Sequence, residues 1–325
     1  MPKLYTNNTE IPFIMEVWLA SNDGYDLIPE PYKISATTTM KSPKSIILTQ
    51  QLLQKGKISL TDISELTASR IGTALHSAVE HSWLMNYRQG MENMGYPKKV
   101  IEMVSLNPED PDPDRYNIWM EKRSERKIGK FTVSGKFDIV ENGVVRDIKS
   151  TKVWNYQSGI NDEKYALQGS IYRWLNPDII TESYMYVDYI LTDWKATENY
   201  KKDYPSSPIM NRKLALMPEA EIEALLSEKL AYLEDHMDSP ESELPACTPE
   251  EVWQRPNKWA FFSKPTNKVP QKVVSSEEEA TQLNAAKNFQ GKIEFRPGEV
   301  KYCSWCPAKS VCLQAERYRQ QGLLK

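Results

Sequence analysis

The sequence predicts an α/β protein of the α+β class, with a mixed β-sheet flanked by helices and a smaller C-terminal module. Three features lead to this prediction. Helical and strand patterns alternate along the first part of the chain, an Asn-Gly pair joins two β-rich runs, and a proline-rich joint at 239–249 precedes the last segment. This order of elements is typical of a sheet that packs helices against its faces.

The first strong helical pattern covers residues 59–85 and follows an irregular stretch at 1–33 that is rich in Pro and Asn. Ser59 and Asp62 have the spacing of a capping signature at the start of this helix. Apolar side chains recur at helical spacing and predict one apolar face. This stripe consists of Ile71, Leu75, Ala78 and Val79.

The next runs, "FTVSGKFDIV" and "VVRDIKS", flank Asn142 and Gly143 and predict a β-hairpin. In a two-residue type I′ turn, Asp138 lies directly opposite Asp147. The pair falls in a non-hydrogen-bonded position, where side chains approach closely. Lys149 is two residues further along the strand and therefore shares the face of Asp147.

Two like charges that face each other destabilise a sheet, so this pair needs a proton, a cationic side chain or a metal ion. Carboxylates and a nearby backbone carbonyl suit a hard ion such as Mg²⁺ or Mn²⁺. Lys149 is then placed to help activate water or to stabilise charge on a phosphate. The alternative is a half-exposed hairpin whose polar face simply carries Asp and Lys.

The remaining pattern predicts a helix at 164–175, a strand at 183–191 and a helix at 218–237. After the proline-rich joint, short runs follow in the order strand, strand, helix, strand. We therefore predict a core domain over 1–238 and a C-terminal α+β module over 239–325.

Four cysteines form a second candidate site, and three of them fall within ten residues in a C-x2-C-x5-C spacing. Clustering of this kind in a reducing compartment indicates metal binding, and thiolates suit Zn²⁺ or an iron–sulfur cluster. A metal bound by all four cysteines would stabilise the C-terminal module as one unit. Four free, buried thiols are the alternative. The residues are Cys247, Cys303, Cys306 and Cys312.

The amino-acid composition says little about the binding partner but indicates the cellular compartment. The net charge is −3, so overall charge gives no argument for nucleic acid. No apolar run approaches the length of a membrane helix, and the N-terminus lacks the order of a signal peptide. We expect a cytoplasmic protein without membrane association and with reduced cysteines.

The pattern "SGKFD…RDIK" resembles the Asp…Asp-x-Lys signature of the PD-(D/E)XK nuclease superfamily, and further motifs resemble its RecB-like branch. "GTALH", from Gly72 to His76, is similar to the Gly-x-x-x-His helix of that branch, and the glycine would permit close backbone approach. "QGSIY" is similar to its Gln-x-x-x-Tyr motif, carried by Gln168 and Tyr172. The C-x2-C-x5-C spacing also resembles the C-terminal metal cluster of that branch, and all these motifs follow the same order along the chain as in the family. Phe137 stands where the name of the superfamily has Pro, as is common in this branch.

This resemblance implies a restriction-endonuclease-like core and a metal-dependent deoxyribonuclease that hydrolyses phosphodiester bonds. Related proteins include RecB and AddB nuclease domains, CRISPR-associated nucleases and phage exonucleases. The resemblance implies that the catalytic metal ion, Mg²⁺ or Mn²⁺, is bound by several side chains and one backbone carbonyl. The implied roles are catalysis for Asp138, Asp147 and Lys149, metal binding for His76, Asp138, Asp147 and the Ile148 carbonyl, and DNA positioning for Gln168 and Tyr172.

The resemblance also implies a [4Fe–4S] cluster at the cysteines, with Zn²⁺ as the alternative. In related proteins the fourth cysteine precedes the core, whereas Cys247 follows it. RecB-like proteins often carry a glutamate before the first aspartate, and both Glu121 and Glu125 are candidates here.

The sequence has no G-x-x-x-x-G-K-[ST] loop, the P-loop of ATP-driven motors that unwind DNA. The expected substrate is therefore DNA ends or single strands. A separate helicase or recombinase would then be the partner, in a bacterial or phage setting. Two other functions stay open. One is an inactive nucleic-acid-binding scaffold of the same fold, and the other is a zinc-stabilised interaction module.

Overall fold

The computed structural model describes residues 5–21, 30, 32–56 and 61–324. The helices are α1 (Phe13–Ala20), α2 (Ala36–Thr39), α3 (Pro43–Gln54), α4 (Thr67–Asn93), α5 (Lys98–Met103), α6 (Val153–Ser158), α7 (Asp162–Leu175), α8 (Glu219–His236), α9 (Glu277–Ala285), α10 (Tyr302–Trp305) and α11 (Leu313–Gln320). The strands are β1 (Tyr5–Thr6), β2 (Lys33–Ser35), β3 (Thr61–Asp62), β4 (Val104–Leu106), β5 (Tyr116–Met120), β6 (Arg123–Ile128), β7 (Phe131–Lys136), β8 (Ile139–Glu141), β9 (Val144–Thr151), β10 (Tyr184–Leu191), β11 (Ile209–Ala215), β12 (Lys258–Phe262), β13 (Lys272–Val274) and β14 (Lys292–Arg296).

The chain divides into two compact units, and each is built from two separate stretches of sequence. Unit 1 is Met1–Met40 with Leu60–Tyr232, and unit 2 is Lys41–Ser59 with Leu233–Lys325. The second boundary lies close to the expected division after residue 238. Helix α3, which the sequence placed in the core domain, belongs to unit 2 because its partners in packing come from the C-terminal stretch.

Unit 1 contains a six-stranded sheet in the order β11-β10-β9-β8-β5-β4. Strand β9 runs parallel to β10 and antiparallel to β8, so the sheet is mixed, and the predicted α+β class is confirmed. The middle strands are apolar where they meet the core, and their central side chains are fully buried. These residues are Val140, Val145, Met185 and Val187. A three-stranded sheet, β2-β7-β6, lies in the same unit.

The predicted hairpin forms with the predicted register. Ile139 pairs with Arg146 and Glu141 with Val144 across the turn. Asn142 and Gly143 both have positive φ angles, which is what a type I′ turn requires. The hairpin therefore places Asp138, which directly precedes β8, beside the middle of β9.

A second tight turn precedes this hairpin and sets another register. Gly129, with a positive φ, joins β6 to β7 so that Ile128 pairs with Phe131 and Arg123 with Lys136. The same register continues from β7 into β8, where Met120 of β5 pairs with Ile139. The two turns together lay three strand segments side by side.

Helix α4 differs from the expectation for 59–85. It begins at Thr67 after a short 3₁₀ helix, Ile63–Leu66, and Asp62 caps that 3₁₀ helix by accepting a hydrogen bond from the Ser64 N–H. Ser59, the other member of the expected capping signature, lies outside the described residues. The predicted apolar stripe is not a core face, since no residue of α4 is buried and Ile71 is 46% exposed.

The N-terminal stretch also departs from the sequence-based expectation of irregular structure over 1–33. Helix α1 forms within it, with Pro12 at the N-cap position. The apolar run "FIMEVWLA" is long enough for two turns of helix. It is short and lies between polar residues, so the overall composition of this stretch indicates irregular structure instead.

Unit 2 contains the predicted strand–strand–helix–strand order. The sheet has the order β13-β12-β14, and β12 is antiparallel to both neighbours. Ala260, Phe261 and Phe262 of β12 are buried, as is Ala280 of α9. Within the described part of the chain, no helix is both long enough and apolar enough to cross a membrane.

Gly135 provides a test of packing beneath the hairpin. A Cβ atom at this position would lie 2.5 Å from Leu175 Cδ1 and 3.3 Å from Tyr172 Cδ1. We expect Gly135→Ala to lower the free energy of unfolding by about 1–3 kcal/mol, because the added methyl overpacks this contact.

The matched control is Gly90→Ala in α4, where a Cβ would meet open space. This change should instead raise stability by about 0.5–1 kcal/mol, since alanine is the better helix former. Urea denaturation of both variants measures the difference. Equal stability of Gly135→Ala and the parent would contradict the packing described here.

Candidate functional site

Three acidic side chains line up across neighbouring strand segments of unit 1. Glu121 follows β5, Asp138 lies between β7 and β8, and Asp147 lies in β9. The Glu121 N–H donates to the Asp138 carbonyl at 2.9 Å, so these two residues are direct neighbours. On the other side, the Ile148 N–H donates to Asp138 Oδ2 at 2.9 Å. The two turns thus bring one carboxylate from each segment to a single place.

Helix α4 contributes His76 to this row. The Nδ1 atom of His76 lies 3.3 Å from Asp138 Oδ1, and Nε2 lies 2.9 Å from the Ile148 carbonyl oxygen. Ligand atoms of His76, Glu121 and Asp138 all lie within 4.8 Å of one another, a grouping that fits one metal ion. The expected His76–Asp138 association is therefore present, and Glu121 joins it.

Each carboxylate of the row has its own cationic partner. Lys136 forms an ion pair with Glu121, His76 with Asp138, and Lys149 with Asp147 at 2.6 Å between Nζ and Oδ2. Lys136 stands two residues before Asp138, as Lys149 stands two after Asp147. The alternation of a strand therefore puts Lys136 on the face of Asp138, next to its partner Glu121, and Lys149 on the face of Asp147.

The His76–Asp138 contact favours the charged form of both groups. Burial alone would raise the pKa of Asp138, but the His76 hydrogen bond and charge outweigh it and lower that pKa. The hydrogen bond to Asp138 in turn raises the pKa of His76 against the opposing effect of burial. Both shifts favour a protonated His76, whereas an imidazole that binds a metal ion must be neutral.

Asp147 is the most buried member of the row, with 1% of its surface exposed. Among the described residues, its Oδ1 atom has no hydrogen-bond partner. Burial raises the pKa of Asp147, and the nearby Asp138 charge adds to this effect while Lys149 opposes it. A buried carboxylate oxygen without a donor is costly and fits a site that receives a cation.

Lys149 remains an ammonium in this setting. Burial would lower its pKa, but the carboxylates of Asp147 and Asp138 outweigh burial and raise it. The ammonium nitrogen lies 5.3 Å from the centre of the Tyr165 ring, a cation–π distance. No motif in the sequence marks Tyr165, which helix α7 brings close to Lys149 of β9.

Glu121, and not Glu125, belongs to the site. Glu121 has a φ of 51°, a left-handed conformation that is uncommon outside glycine and turns the chain between β5 and β6. Burial raises its pKa, Lys136 opposes this, and the charges of Asp138 and Glu80 add to it. Glu125 instead pairs with Lys33 at 3.0 Å.

The two residues expected to position DNA contact each other. Gln168 Nε2 donates to the Tyr172 hydroxyl at 2.8 Å, and Tyr172 is only 4% exposed. Tyr172 is therefore a buried support for Gln168 and not part of a solvated helix edge. No atom of the described residues lies within 4 Å of the place of a Cβ at Gly72, one turn before His76, so these residues do not make the close backbone approach expected there.

The four cysteines line one small cavity in unit 2, which Ser45 and Tyr302 also line. Cys247 is held there by Gln314, whose Oε1 accepts from the Cys247 N–H at 2.8 Å and whose Nε2 donates to the Cys247 carbonyl at 2.9 Å. Four thiols that line one cavity are a donor set suited to a soft metal or a cluster, although among the described residues no three of the sulfur atoms lie within 4.8 Å of one another. Cys247 stays a predicted fourth ligand.

Comparisons with known proteins give little similarity. No family model matches the sequence, and no curated protein matches it. The crystal structure of SSO0001 is similar over 68% of this chain and 87% of its own length, with 16% identity and a TM-score of 0.43. A phage-related exonuclease from Haemophilus somnus 129PT is similar over 66% and 96%, with 12% identity and a TM-score of 0.28.

Lys136 provides a test of the metal site. We expect Lys136→Met to bind Mn²⁺ about ten-fold more tightly than the parent, because it removes a positive charge that competes for Glu121. Calorimetric titration of the metal-free protein measures the affinity. Lys127→Met, on the neighbouring strand β6, removes an exposed lysine and should leave the affinity unchanged. Weaker or unchanged Mn²⁺ binding by Lys136→Met would contradict this role.

The cysteine cavity provides a second test. Burial raises the pKa of Cys303 to about 12, so this thiol is protonated in the metal-free protein at neutral pH. A metal must displace such protons, and its affinity should therefore rise about ten-fold per pH unit for each proton released. Anaerobic Co²⁺ titrations of the reduced protein at pH 6.5 and 7.5, followed by thiolate charge-transfer absorbance, measure this. A pH-independent affinity would contradict thiolate ligation.

Proposed function

We propose that this protein is a metal-dependent nuclease that hydrolyses phosphodiester bonds in DNA, of the PD-(D/E)XK kind. The observation that carries this proposal is the grouping of His76, Glu121 and Asp138 in reach of one metal ion, next to the buried Asp147, which has an oxygen without a donor. A purely structural polar face would leave such carboxylates in water or pair them completely. The presence of Lys149 beside Asp147 adds the cation that a negatively charged transition state requires.

The metal-binding residues of the proposal are His76, Glu121, Asp138 and Asp147. The Ile148 carbonyl stays a proposed further ligand, and in the structure its oxygen accepts a hydrogen bond from His76. Mg²⁺ or Mn²⁺ suits this mixture of carboxylates with one imidazole, and when bound it would supply positive charge to the phosphate and acidify a water molecule.

The side chains themselves have separable tasks. Lys149 is a charged ammonium, so it stabilises negative charge on the phosphate and does not accept the proton of the attacking water. Asp147 holds that ammonium in place by its 2.6 Å ion pair. His76 must release its proton to become a ligand, which Asp138 opposes in the metal-free protein. Metal binding and deprotonation of His76 are therefore linked.

The substrate of the proposal is DNA, at ends or in single strands. Gln168 would contact the DNA, and the buried Tyr172 would fix its amide through the 2.8 Å hydrogen bond. Because the sequence has no phosphate-binding motor motif, a separate helicase or recombinase is the proposed source of unwound substrate.

The cysteine cavity completes the proposal as a structural centre. We assign it a [4Fe–4S] cluster, with Zn²⁺ as the alternative, because the four thiols surround one enclosed space. A cytoplasmic setting keeps these thiols reduced and is part of the proposal. A broad visible absorbance band in anaerobically purified protein would favour the cluster, and a colourless, zinc-containing protein would favour Zn²⁺.

The decisive experiment removes Asp147 and Lys149 separately. Asp147→Asn and Lys149→Met should each slow the cleavage of single-stranded or duplex DNA by about 100-fold or more in Mg²⁺ or Mn²⁺. Gel assays with end-labelled DNA measure the rate. The matched controls are Asp178→Asn and Lys152→Met, which change exposed residues of the same charge and should retain the parent rate.

Two outcomes would overturn the proposal. One is the absence of cleavage of any DNA form by the metal-loaded parent protein, which would leave the inactive nucleic-acid-binding scaffold as the better description. The other is cleavage by Asp147→Asn at the parent rate, which would show that the activity comes from another source.

A further inference from the structure

Helix α3 buries three polar side chains at its N-terminal end. Ser42, Lys44 and Ser45 are each only 4% exposed. Burial of polar groups is unfavourable unless each group finds a partner. All three lie in unit 2, near the cysteine cavity, which Lys44 and Ser45 line directly. Their partners therefore indicate what this end of the helix does.

The hydroxyl of Ser42 lies within hydrogen-bond distance of a sulfur atom, and either group could be the donor in the metal-free protein. Ser42 is the N-cap of α3, and its Oγ accepts a hydrogen bond from the Ser45 N–H at 3.2 Å. The same Oγ lies 3.2 Å from Cys247 Sγ. Because a thiolate has no proton to give, a metal-bound Cys247 leaves one arrangement, in which the Ser42 hydroxyl donates to sulfur.

Ser45 repeats this contact one turn into the helix. Its Oγ lies 3.4 Å from Cys306 Sγ and 3.4 Å from the Tyr302 hydroxyl. When the Tyr302 hydroxyl donates to Ser45 Oγ, the Ser45 hydroxyl proton is left to be donated to the sulfur of Cys306. Two of the four sulfur atoms thus face a hydroxyl from the same helix end.

The charges around these contacts are partly balanced. The helix N-terminus carries a partial positive charge, which favours a nearby thiolate. Lys44 is buried with Glu241 at 2.5 Å, and Glu241 Oε1 lies 4.0 Å from Cys312 Sγ. The Lys44 ammonium therefore offsets the negative charge of the Glu241 carboxylate beside Cys312.

We propose that Ser42 and Ser45 are positioning residues of the cysteine metal centre, which donate hydrogen bonds to the thiolates of Cys247 and Cys306. This inference rests on the proposed metal at the cysteines and is independent of nuclease activity. Hydrogen bonds to a ligand atom fix its orientation and stabilise its charged form, and their loss weakens metal binding by about 10–100-fold.

The proposal has a consequence for the helix itself. Residues 42 and 45 are separated from their sulfur partners by 205 and 261 residues of sequence, so the centre fixes a distant part of the chain. Loss of the metal turns charged acceptors into thiols, whose hydrogen bonds are weak. The amides of α3 should then exchange with solvent faster.

The experiment is an anaerobic Co²⁺ titration of the full-length, reduced protein, followed by thiolate charge-transfer absorbance. Ser42→Ala and Ser45→Ala should each weaken Co²⁺ binding about ten-fold. Ser42→Thr, which keeps both the hydroxyl and the cap, should restore it. Ser45→Ala leaves the N-cap of α3 in place, so its effect does not come from loss of a cap.

The control is Ser276→Ala, which removes the N-cap serine of α9 in the same unit. Hydrogen exchange of α3, with and without bound Co²⁺, gives a second readout. The inference is overturned if Ser42→Ala and Ser45→Ala bind Co²⁺ as tightly as Ser276→Ala. Absence of charge-transfer bands in the parent protein would overturn the metal centre and this inference together, while DNA cleavage would test the nuclease proposal separately.

Discussion

The repulsion among three carboxylates, packed side by side across adjacent strand segments, is the constraint on which the arrangement of unit 1 depends. Glu121, Asp138 and Asp147 would destabilise the sheet if each lacked a counter-charge. The structure gives each acid one cation, from Lys136, His76 and Lys149. The row is thus close to neutral without metal. A divalent ion must compete with bound protons and ammonium groups, so metal affinity and the stability of the sheet are coupled.

Much of this site follows from turn chemistry that is visible in the sequence. The Asn142-Gly143 pair predicted the hairpin and its register, and the structure has both. The turn at Gly129 and Lys130 carries equal information that the sequence analysis did not use. Counting outward from it places Glu121 opposite Asp138 and Glu125 opposite Ser134, which selects Glu121. What no turn rule supplies is the left-handed backbone at Glu121.

Several features depend on contacts between residues that are far apart in the sequence, and local sequence patterns do not predict such contacts. The stripe on α4 has the spacing of a core face, yet no residue of this helix is buried, although His76 reaches the middle strand β9. Tyr172 shares a helix face with a polar neighbour, and tertiary packing buries it. Ser42 and Ser45 have ordinary helix-start chemistry, and only the fold brings the cysteines to them.

The division of unit 2 into two distant stretches has a consequence for synthesis on the ribosome. Helix α3 emerges from the ribosome more than 200 residues before Cys247 and Cys306, which contact its first turn. Contacts between such remote segments form slowly, and the early segment stays exposed in the meantime. During that interval unit 1 has all its strands and is free to fold first. Removal of the segment that contains Tyr302 and Cys306 would therefore deprive Ser45, more than 250 residues earlier, of both its side-chain partners.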